Sequence, residues 1–342
     1  MSSKYFIGAD ISKSKIDFAV ITSDSEILLE QVVPNTESKI KLFIKQVLKL
    51  FKTDVDHLLV CCENTGIYSR HLEKASVSMN VFLWNENALK IKRASTDMRG
   101  KSDKKDALRI ARYAFRYQDK AEAFQPKSPI IRKIENQVKI RQTLVVQVTS
   151  LQNQIREAKT HDKELYADLN KAYKSVIDKL KQQIKKVEAE IRELYKQDQG
   201  LNENVELITS IKGVGIQTAM AVIISTGNFN RIDSAKQLAC YAGVVPFPNE
   251  SGTIIKKPRL SHLSNKKLKR ILHMAALSAM KTNRDLKQYY HRKVSQGKNK
   301  MSVINAIRNK LIQIIFAVIK RRKPYLNEYV PINLAQKPCL LS

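Results

Sequence analysis

Four acidic residues stand where the sequence predicts that a strand ends or a helix begins. Asp10 closes the apolar run FIGAD, and Glu63 closes the apolar run HLLVCCE. Last residues of neighbouring strands meet at one edge of an open α/β sheet, where such sheets collect their chemistry. Asp103 and Asp106, in GKSDKKDA, are three residues apart at the start of a helical pattern, so both project from nearly the same face.

A cleft that held these four carboxylates would need a cation, because like charges at short range repel one another. Magnesium prefers hard oxygen ligands, and two such ions can stabilise the attacking and leaving oxygens of a phosphodiester that is being cut. Each residue also has an ordinary structural explanation, as a helix N-terminal residue or a turn cap. Their joint placement favours a metal-dependent site, with Asp17 on the next strand as a local or supporting group.

The chain carries a large positive charge. Lys and Arg number 61 against 32 Asp and Glu, which gives a formal net charge of +29 over 342 residues. Such an excess is typical of proteins that bind a polyanion. The basic residues run through the whole chain and do not gather on one amphipathic helix or tail, which favours nucleic acid over a membrane surface. An apolar content of 43% excludes a wholly disordered chain.

Two segments of the carboxyl-terminal half are candidates for binding nucleic acid. The motif IKGVGIQTA at Ile211 predicts a helix-hairpin-helix, whose glycines allow a tight turn and whose second helix offers free N–H groups to a phosphate. A plain glycine-capped turn is the alternative. Further along, basic residues crowd around a proline-containing loop and the start of a helix. The candidate nucleic-acid-binding residues are Lys212, Gly213, Gly215, Lys256, Lys257, Arg259, Lys266, Lys267, Lys269 and Arg270.

A serine lies within this basic segment. Residues Pro246 to Gly252, PFPNESG, predict a rigid turn that presents the hydroxyl of Ser251 beside a glycine. Serine before glycine is common in loops, so composition alone gives Ser251 a weak claim to chemistry.

Composition changes twice along the chain and predicts three domains and a tail. Residues 1–125 mix short apolar strands with helices, which predicts an α/β domain, and this domain contains the four acidic candidates. Residues 126–200 contain apolar residues at heptad spacing, which predicts an antiparallel coiled-coil hairpin that turns near Thr160 to Asp162 and also dimerises. A bundle packed only on its own chain is the alternative. Residues 201–325 predict a mostly helical domain, and residues 326–342 a tail.

The start of the chain lacks the features of an export signal. MSSKYFIGADIS has no apolar core before its first Asp, and we expect no segment near the ~20 apolar residues that span a membrane. Cys61, Cys62, Cys240 and Cys339 form no C-x-x-C pair, so we expect reduced thiols. These features predict a cytoplasmic protein with no membrane partner.

The motifs, taken in order, resemble those of the DEDD transposases of insertion sequences. They are DISK at Asp10, ENTGIY at Glu63, SDKKDA at Asp103 and Asp106, IKGVG at Gly213, and AGVVP followed by SG at Ser251. The resemblance extends from Phe6 to Lys281. Two departures are Ser102, where threonine is more usual, and PFPNE, which lacks the serine doublet of many relatives and leaves Ser251 as the hydroxyl candidate.

The resemblance implies a fold and a mechanism. It implies an RNase H-like, RuvC-like domain whose Asp10, Glu63, Asp103 and Asp106 hold two Mg²⁺ ions, then a coiled-coil insert, then a helical transposase domain. In this family a serine of the last domain attacks the DNA phosphate and forms a phosphoserine link, and Ser251 is the matching position. A serine hydroxyl is a poor nucleophile at neutral pH, and the metal could activate it.

The resemblance also implies partners. Family members are guided by a bridge RNA that pairs with donor and target DNA, so the protein reads shape and backbone. We therefore predict a nucleoid-associated DNA recombinase of a mobile element that acts as a homodimer or higher homo-oligomer. One alternative is a RuvC-like junction-resolving nuclease that activates water and does not need Ser251. The other is a non-catalytic nucleic-acid-binding protein.

Overall fold

The computed structural model describes residues 4–94, 103–251, 254–260 and 264–326, without the side chains of residues 103–104, 247–251 and 254–260. The chain divides into two compact units, Met1–Pro126 and Lys127–Ser342. The finer division of the second unit into a hairpin domain and a transposase domain stays a prediction.

The amino-terminal unit is built on a five-stranded mixed sheet. Its strands are β1 (Tyr5–Ile11), β2 (Lys15–Thr22), β3 (Ile27–Pro34), β4 (Leu58–Glu63) and β5 (Phe82–Glu86). They lie in the order β3-β2-β1-β4-β5, with β1, β2 and β3 antiparallel and β4 and β5 parallel to β1. This order and these directions are those of an RNase H-like sheet, so the predicted fold is confirmed. Sequence analysis missed β3, an edge strand in which only Val33 is buried.

Helices cover both faces of this sheet. They are α1 (Glu37–Leu50), α2 (Arg70–Ser78), α3 (Ala88–Ala94) and α4 (Asp103–Arg116). The buried stripe of α1, which includes Ile40 and Phe43, joins one core cluster, and Ile110 and Ala111 of α4 join another. A Cβ at Gly8 would overlap backbone atoms of Ala107 and Ala111. Glycine in β1 therefore lets the backbone of α4 lie directly on the sheet.

The second unit begins with a long helical hairpin of α5 (Pro129–His161) and α6 (Lys163–Lys196). Asp162 makes the turn, and its carboxylate accepts hydrogen bonds from the N–H groups of Glu164 and Leu165 at 3.1 and 3.0 Å. The helices are antiparallel, since Arg141 Nε lies 2.7 Å from Glu188 Oε1 across the hairpin. The predicted hairpin and its turn are confirmed.

The rest of this unit is mostly helical. Its elements are α7 (Gln199–Thr209), α8 (Ile216–Thr226), α9 (Ala235–Ala242), β6 (Pro246–Ser251), β7 (Ile254–Leu260), α10 (Lys266–Thr282), α11 (Arg284–Ser295) and α12 (Lys300–Arg321).

One helix contradicts the expectation that no segment would be apolar enough to span a membrane. By length and composition α12 could cross one. Its apolar side chains, Ile307, Leu311, Ile312 and Ile315 among them, are instead buried in the core of the helical unit. A central helix that is contacted from several sides needs a wide apolar surface, and that requirement accounts for its hydropathy.

Candidate active site

A row of acidic residues crosses the carboxyl end of the sheet. From β2 to β5 the row consists of Asp17, Asp10, Glu63 and Glu86. Asp10 pairs with Asp17, and Glu63 pairs with Glu86. Asp10 and Glu63 each stand one residue beyond Ala9 and Cys62, the last pair of β1 with β4. Side chains of a strand alternate between faces, so all four point to the face on which α4 packs. The structure thus brings Asp10 and Glu63 together at one sheet edge.

Arg109, in the second turn of α4, links two of the predicted metal ligands. Its Nη1 lies 2.7 Å from Asp106 Oδ1, and its Nη2 lies 3.5 Å from Glu63 Oε1. All three side chains are largely buried, with exposed fractions of 20–27%. Within the described part of the chain, Arg109 Nε is buried and has no hydrogen-bond partner. Sequence analysis missed Arg109, because only the contact of α4 with β4 brings it to Glu63.

The donor chemistry of this edge fits magnesium. Asp10, Glu63 and Asp106 offer the hard carboxylate oxygens that Mg²⁺ prefers. Asp103 begins α4, but its side chain lies outside the described residues. Among the side chains that the structure describes, no three acidic, His or Cys groups lie close enough to hold an ion as they stand. The positive charge between Glu63 and Asp106 is that of Arg109, so the guanidinium serves here as their counterion.

We expect Arg109→Gln to lower the free energy of unfolding by about 1–2 kcal/mol in the absence of divalent cations, because two partly buried carboxylates lose their counterion. Mg²⁺ should then raise the melting temperature more in the variant than in the wild type. Thermal unfolding with and without MgCl₂ measures both effects. Arg116→Gln, at an exposed arginine of the same helix, is the matched control. Equal behaviour of the two variants would show that Arg109 has no special relation to the carboxylates.

The outer members of the acidic row have partners of their own. Asp17 is 4% exposed and pairs with Lys15 Nζ at 3.0 Å, as suits a local group. Glu86, which sequence analysis missed, is 7% exposed and lies 3.1 Å from Lys90 Nζ and 3.3 Å from Tyr113 Oη. Burial, and then the charge of Glu86, raises the pKa of the Tyr113 hydroxyl. We therefore place Asp17 and Glu86 beside the candidate metal site and not among its ligands.

The cysteines of the first unit play no evident chemical part. Cys61 and Cys62 are free and buried in β4. Burial raises the pKa of both thiols, so they stay protonated and unreactive at neutral pH. Cys240 is also free, and Cys339 lies outside the described residues.

The segment that carries Ser251 is a strand, which corrects the predicted rigid turn at Pro246 to Gly252. Pro246–Ser251 forms β6, which pairs antiparallel with β7 and shifts register between Phe247 and Asn249. A two-stranded ribbon tolerates prolines because their missing N–H groups can face away from the partner, and Pro248 lies at the shift. Ser251 ends β6 and pairs with Ile254, while its side chain lies outside the described residues.

The predicted helix-hairpin-helix is confirmed as a structure. Gly213 has a φ of 92°, and a Cβ there would overlap the backbone of Ala279, so glycine is needed for both the turn and the packing. Lys212 is exposed beside it. Gly215 is the N-cap of α8 and makes no side-chain capping bond, so the first N–H groups of that helix are open to an anion. Phosphate binding by this turn stays a prediction.

Basic residues are concentrated on β7 and at the start of α10. Lys256, Lys257 and Arg259 belong to β7, and their side chains lie outside the described residues. The others, Lys266, Lys267, Lys269 and Arg270, stand in the first turns of α10, where the first turn contains no acidic residue. Cations at a helix N-terminus oppose its macrodipole, so their placement favours a bound anion such as phosphate.

An RNase H-like sheet with an acidic edge, joined in one chain to a strongly basic helical unit, defines a nuclease or strand transferase. The sequence profile of DEDD transposases of the IS110 type matches residues 7–159, and the profile of the transposase IS116/IS110/IS902 family matches residues 205–291. The chain belongs to this family of insertion-sequence transposases and is a DNA transposase or recombinase.

Two curated relatives and one solved structure are similar to parts or most of the chain. The chain is 28% identical to the pilin gene-inverting protein of Moraxella lacunata over 327 residues, which cover 94% of this chain and 98% of that protein. It is 37% identical to the transposase for insertion sequence element IS1533 of Leptospira borgpetersenii, over 33% of this chain and 31% of that protein. A solved structure, T. thermophilus RuvC in complex with Holliday junction substrate, matches with 17% identity and a TM-score of 0.28, over 35% of this chain and 99% of that one.

Proposed function

We propose that this protein recombines the DNA of a mobile element by magnesium-dependent strand cleavage, exchange and rejoining through a phosphoserine intermediate. The observation that carries the proposal is the acidic edge, where Asp10 and Glu63 stand side by side and Arg109 links Glu63 to Asp106. Carboxylates that are partly buried and close together repel one another, so their concentration at this edge is costly unless a cation is held there. The Moraxella relatives, named as pilin gene-inverting proteins, support DNA recombination as the outcome.

Asp10, Glu63, Asp103 and Asp106 would hold the magnesium, which we propose to be two ions. Bound there, the metal would supply Lewis-acid stabilisation of charge on phosphate oxygens. The first two carboxylates are fixed by strand pairing, and Asp106 is fixed by α4, which Gly8 seats on the sheet. Rigid elements of this kind hold a ligand set more accurately than loops do.

Ser251 would be the nucleophile. Its Oγ forms a bond to the DNA phosphorus as the bond from phosphorus to a DNA oxygen breaks, and that oxygen leaves with a proton. A DNA hydroxyl then attacks the phosphoserine and releases the serine, so one phosphodiester replaces another without an external energy source. Support comes from the position of Ser251 at the end of β6, opposite a strand that carries Lys256, Lys257 and Arg259.

The remaining parts of the proposal concern partners. Donor and target DNA would be bound by the basic segments, with a non-coding bridge RNA as guide and the nucleoid of the cytoplasm as the location. A homodimer or higher oligomer would form through the helical hairpin. Exposed apolar side chains on α5 and α6 support this assembly, namely Ile140, Val146, Leu165 and Val176.

Purification of the protein from cells that carry its native flanking DNA tests the guide. We expect one discrete RNA, encoded beside the gene, to remain after a high-salt wash. Salt releases RNA that is held by charge alone, whereas a guide is also recognised by its shape. Sequencing of the retained RNA is the measurement. A heterogeneous mixture, equal to that retained by an unrelated basic protein, would contradict RNA guidance and leave cleavage of branched DNA as the next assay.

A further inference from the structure

A buried arginine of the helical unit has no acidic partner among the side chains that the structure describes. Arg308 of α12 is 7% exposed. Its Nη2 lies 2.9 Å from His273 Nδ1 and its Nη1 lies 3.4 Å from Asn305 Oδ1, while its Nε is buried without a hydrogen-bond partner. No carboxylate among the described side chains forms an ion pair with it. A buried cation without an anion is costly, so this arrangement requires a reason.

The protonation state of His273 follows from its neighbour. An arginine guanidinium can only donate hydrogen bonds, so His273 Nδ1 must accept, which places the single imidazole proton on Nε2. Lys269 stands one turn before His273 on α10, and the side chains of Lys269 and His273 are both half-buried. Burial, and then the charge of Arg308, lowers the pKa of His273 and of Lys269. Lys269 and His273 are four residues apart, so they lie on one face of α10. The cluster thus combines hydrogen-bond donors and positive charge at a position that solvent reaches in part.

The cluster adjoins the segment that leads into the serine strand. Asn305 Nδ2 donates to the carbonyl oxygen of Val244 at 2.7 Å. Val244 lies two residues before β6, the strand that ends at Ser251. One helix thus carries both the buried charge and the contact that anchors the start of this strand.

We infer that Arg308, His273 and Lys269 form an anion site that binds a phosphate of the DNA backbone beside the serine-bearing strand. A tetrahedral phosphate would accept from His273 Nε2 and Lys269 Nζ, and its charge would offset that of Arg308 beneath them. The assignment of this phosphate to the DNA on which Ser251 acts rests on the proposed function. The existence of the anion site does not.

Thermal unfolding in inorganic phosphate, against chloride at the same ionic strength, tests the site without DNA or metal. Phosphate should raise the melting temperature of the wild type, because a ligand that binds only the folded state stabilises it. His273→Gln and Lys269→Gln should each reduce this shift by more than half, whereas Lys281→Gln, at an exposed position of the same helix, should retain it. An equal shift in all four proteins would overturn the site.

Two further measurements test the site apart from thermal unfolding, and the first of them needs no variant. In wild-type protein labelled at histidine, the His273 imidazole resonances should move with phosphate and saturate, and unmoved resonances would overturn the site. Lys269→Gln should reduce the salt dependence of binding to a DNA oligonucleotide by about one phosphate contact. A reduction seen with RNA but not with DNA would overturn the assignment to DNA. Loss of the Ser251 mechanism with an intact phosphate response would refute the proposed function alone.

Discussion

Ser251→Ala is expected to lower recombination by at least about 10³-fold and to remove the covalent protein–DNA adduct, because the attacking oxygen is absent. The readouts are recombination of a plasmid that carries both DNA sites, and an adduct that survives denaturing electrophoresis. Folding and DNA binding should be retained, since the change deletes one oxygen at the end of a two-stranded ribbon. Ser278→Ala, at an exposed serine of α10, is the matched control and should behave as the wild type.

The alternatives to a serine nucleophile give different results in this experiment. Recombination that survives Ser251→Ala would exclude the phosphoserine mechanism. Cleavage of branched DNA that survives without any adduct would instead identify a junction-resolving nuclease, in which metal-activated water is the nucleophile.

Asp106→Asn is expected to abolish metal-dependent strand cleavage, with a loss of about 10³-fold or more, because a neutral amide oxygen is a weak ligand for a hard cation. The substitution keeps the shape of the side chain, so the fold should persist. Affinity for DNA should be unchanged or slightly higher, since one negative charge is lost. Cleavage is measured on labelled DNA with and without Mg²⁺, and binding is measured in parallel.

Two comparisons make this result specific. Asp119→Asn, at an exposed aspartate just beyond α4, should leave cleavage intact. Glu63→Gln, on the other side of Arg109, should reproduce the loss. Normal cleavage in both Asp106→Asn and Glu63→Gln would mean that the acidic edge is structural and that the cleaving groups lie elsewhere. No metal-dependent cleavage in the wild type would favour a non-catalytic nucleic-acid-binding protein.

Where a structural feature depends on local pattern, the sequence was sufficient. Strands β1, β2, β4 and β5 are short apolar runs with clear ends, and the direction of β1 and β4 places Asp10 and Glu63 at one edge. The hairpin was equally predictable, because heptad spacing and a polar turn such as that at Asp162 are local patterns, each contained in a short stretch of sequence.

Features that depend on distant partners were missed. The edge strand β3 is largely exposed and shows little hydrophobic alternation. The prolines of β6 are typical of a turn, and only pairing with β7 makes that segment a strand. Sequence analysis also missed that α12 is long and apolar enough to span a membrane. In the structure its apolar side chains are buried within the helical unit.

The sequence by itself determined the family, four of the five strands of the sheet and the candidate carboxylates, because these follow from residue types in a fixed order. Only the tertiary structure decided which charged and polar side chains contact one another. Arg109 reaches Glu63 across 46 positions of sequence, and Arg308 reaches His273 across 35. Neither contact leaves a periodic signal, because electrostatic partners are selected by the packing of whole helices and not by spacing along the chain.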